Sequence, residues 1–301
     1  MDMRDAGDGE SAAQALGGSI AAMLGALGGR YALEARRLAP ATRTARPLPM
    51  AGAGSSDDDD DDHDAQARVA PAQGDALAVA AEAEFPAASL AKLPIAVELM
   101  RRVSLGQLNL DERLDASAQP RAGGGGVLDS LDLATRLSVS ELCTLALAAS
   151  DNTAANLLLD LVGMGEVNHT MERLGLPHTR LARRFMDLEA RLARRDNVTS
   201  AGDMVALLAL LYGNALPGAR RLRAMLAAQL RADDLRAWLP ETARLEHKTG
   251  ELEDIFHDAG LLTGPSSTVA FCVLTAGQGD LPAARFAVGR MLRALWDAWC
   301  A

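Results

Sequence analysis

Residues 85–212 carry one kind of signal and residues 244–276 another. The later stretch holds three runs in succession, "RLEHKT", "HDAGLLT" and "STVAFCVLTA". Two of them are rich in β-branched or apolar residues, and together they predict three strands. The earlier stretch is mainly helical. "SVSELCTLALAA" opens with Ser138 and has Glu141 three residues on, a capping box. "AGDMVALLALLYG" reads as an apolar helix closed by Gly213. Ahead of both, Leu16, Ile20, Met23, Leu24 and Leu27 recur on one helical face, and "YALEARRL" follows as a strand. At the far end Val288, Met291, Leu292, Leu295 and Trp299 again share one face. A chain that runs helix, strands, long helical block, strands, helix must build its sheet from both of its ends. The expected fold class is therefore α/β (α+β). An antiparallel sheet flanked by the terminal helices comes from about residues 10–90 and 213–301, and an all-helical subdomain from about 91–212. All of this forms one domain over residues 1–301, with a site in the cleft between the two parts.

Composition narrows the possibilities. The 301 residues are 49% hydrophobic but only 3% aromatic, so the core must be built from Leu, Ala, Val and Met. No apolar run approaches the roughly 18 residues of a membrane span, so no membrane partner is expected. The net charge is −10, but "DDDDDDHD" at 57–64 holds seven aspartates, and without them the balance is −10 + 7 = −3. The acidity is local, and the body of the chain has no nucleic-acid footprint. Residues 39–66 are rich in Pro, Ala, Gly, Ser and Asp and read as a disordered acidic insertion. Cys143, Cys272 and Cys300 are odd in number and far apart, and read as buried free thiols. No CxxC, HxH or HExxH is present, so neither a metal nor a cofactor is expected. The start, "MDMRDAGDGE", is acidic rather than basic, so the expected location is the cytoplasm, unless the true start lies elsewhere. A monomer acting on a small molecule is the expected state.

Three short motifs carry chemistry. "FPAASLAKLPIAVELM" puts Ser89 and Lys92 three apart at the start of a helix, on one face. The hydroxyl then meets the positive end of the helix dipole, and an amine stands one turn on. Pro94 fits there if the first turn is distorted. "ASDNTAANLLLDLVG" puts Ser150, Asp151 and Asn152 at a helix junction, where small polar residues ordinarily cap. "LEHKTGELEDIFHDAG" puts Lys248, Thr249 and Gly250 on a strand. Each alone has a bland reading as a cap, a surface lysine or a strand end. Their order, with spacings of 150 − 89 = 61 and 248 − 150 = 98 residues, makes the set specific.

With SxxK, SDN and KTG in this order, the chain resembles the penicillin-recognising serine hydrolases, and class A β-lactamases in particular. "RAGGGGVLDSL" is similar to that family's glycine turn before the SDN helix. "LGLPHTRLARRF" and "NVTSAGDM" are similar to the two shoulders of its Ω-loop. The resemblance runs from about residue 12 to the end, apart from the acidic insertion. It implies that Ser89 attacks a carbonyl and forms an acyl-enzyme. Lys92 would serve as base once its pKa is lowered. Ser150 would relay a proton to the leaving nitrogen. Asn152 would hold a substrate amide, and Lys248 and Thr249, followed by Gly250, a carboxylate. The backbone N–H groups of Ser89 and Glu251 would form the oxyanion hole.

Two departures from the family stand out. Its β-lactamases free the acyl-enzyme with water activated by an Ω-loop glutamate. Aligned without gaps from Thr179, that position falls on Phe185. Asp187 and Glu189, two and four residues on, are candidate bases after a small shift, or loop residues paired to Arg183, Arg184, Arg191, Arg194 or Arg195. Without a base the acyl-enzyme would be long-lived, as in penicillin-binding proteins. On the strand after KTG, His257 stands where an arginine often supports the substrate carboxylate. It is a carboxylate partner if protonated and a packing residue otherwise. The expected activity is hydrolysis of a β-lactam or related amide. An esterase, a peptidase-like or slowly deacylating relative, and a non-catalytic binding protein are the rivals.

Overall fold

The structure is a computed structural model that describes residues 5–40, 76–117, 120–131, 136–230 and 233–301. Of the acidic insertion expected over 39–66, residues 41–66 lie outside the described residues.

Along the chain, α1 (Asp5–Gly25) leads into β1 (Arg30–Leu38), β2 (Ala76–Val79) and the two-residue β3 (Phe85–Pro86). A 3₁₀ turn, Ala88–Ala91, opens the helical block, which begins with α2 (Lys92–Ser104). The short pair β4 (Arg113–Asp115) and β5 (Arg136–Ser138) precedes α3 (Val139–Ala148), α4 (Asn152–Val162), α5 (Met164–Arg173) and α6 (Leu188–Leu192). After β6 (Val198–Thr199) come α7 (Ala201–Tyr212), α8 (Ala219–Ala227) and α9 (Asp233–Arg236). The chain closes with β7 (Arg244–Leu252), β8 (Ile255–Thr263), β9 (Thr268–Ala276) and α10 (Leu281–Leu295), continued by a π turn over Trp296–Cys300. The order is the one read from the sequence, and Trp299 lies on that π turn rather than within α10.

The sheet is built from both ends of the chain. Its order is β2-β1-β9-β8-β7, and every neighbouring pair is antiparallel. The register puts Lys248 beside Ala259, Ala259 beside Cys272 and Cys272 beside Glu34. That row lies on one face, because strand side chains alternate with period two. Ala32, Ala259, Leu261, Ala270, Cys272 and Leu274 join a core shared with the helical block. Leu33, Ala35, Phe256, Leu262, Phe271 and Val273 join a second core with α1 and α10. Both faces are covered, which explains why β9 reads as an unbroken apolar run rather than an alternating one.

The helix faces predicted from periodicity are the ones buried. Ile20 and Leu24 of α1, and Val288, Met291, Leu292 and Leu295 of α10, are fully buried against the second core. Burying each such side chain stabilises the fold by about 1.5–3 kcal/mol. α7 is apolar all round and packs on β1, β8, β9 and α8, as such a helix must. Gly213 follows it as its C-cap. The capping box at α3 is formed in both directions: the Glu141 N–H donates to Ser138 Oγ at 3.1 Å, and the Ser138 N–H donates to the Glu141 carboxylate at 2.7 Å.

Candidate active site

The three motifs meet at the end of the sheet. Ser89 lies in the 3₁₀ turn, one turn earlier than a regular helix start would place it. Ala88 before it has φ +45°, a left-handed conformation that costs a β-carbon-bearing residue about 1–3 kcal/mol. The tighter turn also accommodates Pro94, which falls in the first turn of α2, where an N–H has no helical partner. The turn is fixed from behind, as the Ala87 N–H donates to the Asn197 carbonyl at 2.7 Å and Phe85 pairs with Thr199.

Lys92 is 1% exposed, and its Nζ is surrounded by oxygens. Ser89 Oγ is at 2.9 Å, the Ser150 carbonyl at 2.6 Å, Ser150 Oγ at 3.1 Å and Asn152 Oδ1 at 2.8 Å. An ammonium has three protons to donate, and here at least four acceptors compete for them. Ser89 Oγ, at 2.9 Å, lies within proton-transfer reach of the amine. The geometry therefore suits transfer between Ser89 and Lys92.

Ser150 is held at φ +57° between α3 and α4. Asp151 is the N-cap of α4. Its Oδ1 accepts from the Ala154 N–H at 2.9 Å, and its Oδ2 accepts from the Leu128 N–H at 2.7 Å. Asn152 Nδ2 donates to the Gly123 carbonyl at 2.9 Å, and Thr153 Oγ1 accepts from the Ala122 N–H at 3.0 Å. Three consecutive residues thus strap the glycine loop over the cleft. A β-carbon at Gly126, where φ is +153°, would stand 2.6 Å from the Asp151 carboxylate, so the loop's closeness requires glycine.

β7 forms the opposite wall. Lys248 is fully buried, and its Nζ donates to the Thr249 carbonyl at 2.9 Å. Thr249 faces the cleft. A β-carbon on Gly250 would lie 3.2 Å from the Ala88 β-carbon and 3.3 Å from that of His257, so this glycine gives the strand room against the nucleophile turn. His247 and Asp258 are both fully buried and pair at 2.7 Å. His247 Nε2 and Asp258 Oδ2 have no hydrogen-bond partner.

The loop over residues 181–197 is closed by a two-way bridge between Arg180 and Val198. Asn168 brackets Leu181 with two hydrogen bonds of 2.8 Å, and Asn156 brackets Phe185 with two of 2.9 and 3.1 Å. Arg183, 8% exposed, pairs with Asp196 at 2.7 Å. Lys92 Nζ lies 4.8 Å from the centre of the Phe185 ring, a cation–π distance. Asp187 caps α6 through the Ala190 N–H, and Glu189 is exposed in its first turn. Neither borders the cleft. Of the arginines weighed as their partners, Arg183 and Arg191 turn to Asp196 and Arg184 to Asp160. Asn156 fixes the register of the loop at Phe185.

Two roles were open for His257, and its surroundings provide the packing one. The ring is fully buried, its Nδ1 accepts from the Thr275 N–H at 3.0 Å, and its Nε2 therefore donates to the Pro86 carbonyl at 2.8 Å. Burial pushes its pKa down to about 4, so it is neutral at physiological pH. It braces β8 against β3 behind Ser89 and does not line the cleft. The cleft itself, about 180 Å³, is lined by Ser89, Ser150, Asn152 and Thr249, with Phe185, Met186 and Leu188 from the loop. Glu251 is the one carboxylate among the described residues that line it, and Arg285 of α10 pairs with it.

Comparison with known proteins places this arrangement. A family model described as the beta-lactamase enzyme family matches residues 65–299. The chain belongs to that family. Among curated proteins it is similar to the beta-lactamase regulatory protein BlaB of Streptomyces cacaoi, 25% identical over 268 residues, covering 72% of this chain and 86% of that protein. Among solved structures, the β-lactamase of Sphaerobacter thermophilus matches with a TM-score of 0.75 at 27% identity, covering 93% of this chain and 96% of that one. A variant of the last common ancestor of Gram-negative class A β-lactamases matches with a TM-score of 0.75 at 26% identity, covering 95% and 98%. PBP-A, at 22% identity and a TM-score of 0.74 over 94% and 95%, shares the fold. The protein is a serine hydrolase of the β-lactamase type, with the antiparallel sheet and helical block of class A enzymes.

Asn156 and Asn168 escaped the sequence reading. Asn156 follows Asn152 by four residues, one helical turn on the same face, and that spacing was the available signal.

Proposed function

We propose that the protein forms an acyl-enzyme on Ser89 with β-lactams and releases it slowly. Lys92, as the neutral amine, takes the Ser89 proton. Oγ attacks the lactam carbonyl, and Ser150 passes the proton to the departing nitrogen. Asn152 holds the substrate's side-chain amide, and Lys248 and Thr249 hold its carboxylate. Gly250 allows the close approach that brings the N–H groups of Ser89 and Glu251 to the oxyanion. Each such donor contributes on the order of a hundredfold to a thousandfold.

The observation that carries the slow release is the Phe185 ring over Lys92, fixed there by Asn156. Hydrolysis of the ester needs a base for water, and a phenyl ring is none. Glu251, the carboxylate on the cleft wall, is held by Arg285. Asp187 and Glu189 are given no part in this mechanism. Intact-protein mass spectrometry during incubation with benzylpenicillin tests the reading. An adduct on Ser89 that persists for hours is expected; one that appears and clears within seconds while substrate disappears would overturn it.

A second reading is favoured by the similarity to the regulatory protein BlaB. In it, acylation of Ser89 reports the presence of a β-lactam rather than destroying it. A sensor needs to be acylated once, whereas a resistance enzyme must clear its ester many times, so the persistent adduct suits both a penicillin-binding and a sensing role.

A further inference from the structure

Eight large apolar side chains are exposed among the described residues, and five of them sit on the two loops that border the cleft. Met186, Leu188 and Leu192 follow one another on the Ω-loop and α6, and Leu192 is 86% exposed. Val127 and Leu131 lie on the glycine loop beside them. The loops touch, since a β-carbon at Gly124 would stand 2.5 Å from Met186 Sδ. Scattered exposed leucines need no explanation, but an apolar cluster marks an interaction surface.

Arginine frames the cluster. Residues 180–197 hold six arginines against Asp187, Glu189 and Asp196, a balance of 6 − 3 = +3 in a chain of net charge −10. Arg183 and Arg191 are drawn onto Asp196, and Arg184 onto Asp160. Arg194 and Arg195, directly after Leu192, are exposed and enter no ion pair among the described residues. They close α6 in a Schellman turn. The Arg195 N–H donates to the Ala190 carbonyl at 2.9 Å and the Arg194 N–H to the Arg191 carbonyl at 3.0 Å. Arg194 takes φ +59° there, at the position glycine ordinarily fills. One turn thus carries Leu192 and both cations. On the other loop, the Arg121 guanidinium donates to the Asp129 and Leu131 carbonyls, so it keeps its charge beside Val127 and Leu131.

We propose that this face is a peripheral docking surface for an anionic lipid bilayer. Leu192 and its apolar neighbours enter the boundary between headgroups and acyl chains, and Arg121, Arg194 and Arg195 meet the anionic headgroups. Two observations choose this occupant. The first is charge: the partner must offer hydrocarbon and negative charge on one surface, and an anionic bilayer does. The second is shape. Protein interfaces are anchored by side chains, aromatic and arginine above all, that fill pockets on the partner. Here the apolar side chains are aliphatic or thioether and stand out into solvent, and a bilayer needs no socket to receive them. No helix among the described residues is long and apolar enough to cross a membrane, and a surface contact needs none. Met186 and Leu188 also line the cleft, so docking brings the mouth of the Ser89 cleft to the lipid surface. The inference goes beyond the Ser89 acyl-enzyme and does not depend on it.

The test is co-sedimentation of the full chain with vesicles of phosphatidylcholine alone and of phosphatidylcholine mixed with phosphatidylserine. Partition onto the mixed vesicles is expected, weaker on phosphatidylcholine and falling as salt is raised. Leu192→Ser should weaken it about tenfold, the effect of withdrawing one partly buried leucine. Arg194→Gln and Arg195→Gln should each weaken it about fivefold. Leu230→Ser, which removes a leucine 68% exposed outside both loops, should change nothing. All four side chains stand in water, so each variant should keep the wild-type circular-dichroism melt. No partition of the wild-type chain onto either vesicle would overturn the inference and leave the Ser89 reading standing. Equal partition onto both vesicles, insensitive to salt, would overturn the choice of an anionic surface. A loss in Leu230→Ser as large as that in Leu192→Ser would overturn the assignment to this face. Absence of vesicle binding together with a solution oligomer that Leu192→Ser dissociates would give the face to a second copy of the chain instead.

Discussion

Both polar ends of the Asn156 side chain close on the main chain of Phe185: Oδ1 accepts its N–H at 2.9 Å and Nδ2 donates to its carbonyl at 3.1 Å. The grip is on the backbone, so it does not depend on which side chain position 185 carries. That position faces Lys92, one hydrogen bond from Ser89. Phe185→Glu would therefore place a carboxylate beside the ester and its water while keeping the loop's path. General-base assistance contributes about 10²–10⁴-fold, and the half-life of the penicilloyl adduct should shorten by a factor in that range. Timed mass spectrometry reads it directly, and an unchanged half-life would mean that release is limited elsewhere.

Removing the amine tests the other half of the chemistry. Lys92→Ala should slow acylation of Ser89 by about 10²–10⁴-fold, because no other proton acceptor touches Ser89 Oγ in the described site. The variant also strands Asn152 Oδ1 and the Ser150 carbonyl, so a lower melting temperature should accompany the loss. Fluorescent-penicillin labelling against a circular-dichroism melt separates the two effects. Ser89→Ala, which leaves these partners in place, should abolish the adduct with little change in stability.

Acid should weaken the fold through His257. Its pKa in the folded state is pushed down to about 4 by burial, below the unfolded value of about 6.5. Between those values the unfolded chain binds the extra proton, so stability is complete above pH 6.5 and falls as pH drops toward 4. From pH 8 to 5 the loss is about 2 kcal/mol, at 1.36 kcal/mol per unit below pH 6.5. Protonation would also set an Nδ1 proton against the Thr275 N–H. Urea unfolding at the two pH values measures the loss. His257→Gln, less stable at neutral pH, should remove this share of the acid sensitivity.

The three thiols should be silent in the native state. Burial pushes Cys143 up to about 12, Cys300 up to about 11 and Cys272 well above the ordinary thiol range. Thiolate is the reactive form. An aromatic disulfide reagent at pH 8 should titrate none of them within minutes, and all three once the protein is unfolded. Rapid reaction of one thiol in the folded protein would show that the element around it opens locally.

The sequence made the architecture legible because periodicity and capping are local. The α3 capping box, Gly213 behind α7 and the three terminal strands can each be read from a window of about a dozen residues. The motif residues were legible because their spacing is specific. What escaped depends on tertiary approach. The left-handed φ values of Ala88 and Ser150 go against those residues' own preferences, and they occur where the nucleophile turn packs on β7 and where Lys92 meets the Ser150 carbonyl. Phe185 could be named as the residue standing in place of a glutamate, but its ring meeting Lys92 depends on Asn156, 29 residues away. The role of His257 turned on two partners, Pro86 and Thr275, that no local pattern connects to it.

In the five-stranded sheet, β2 and β7 are the two opposite edges, with β1, β9 and β8 between them. The connection that carries the aspartate run leaves after β1 and returns at β2, while the catalytic wall is β7. Three strands of rigid backbone separate the two. Loop closure costs grow only slowly with length, so this junction is a place where the chain can gain or lose residues, or accept a grafted segment, without moving Lys248 or Thr249.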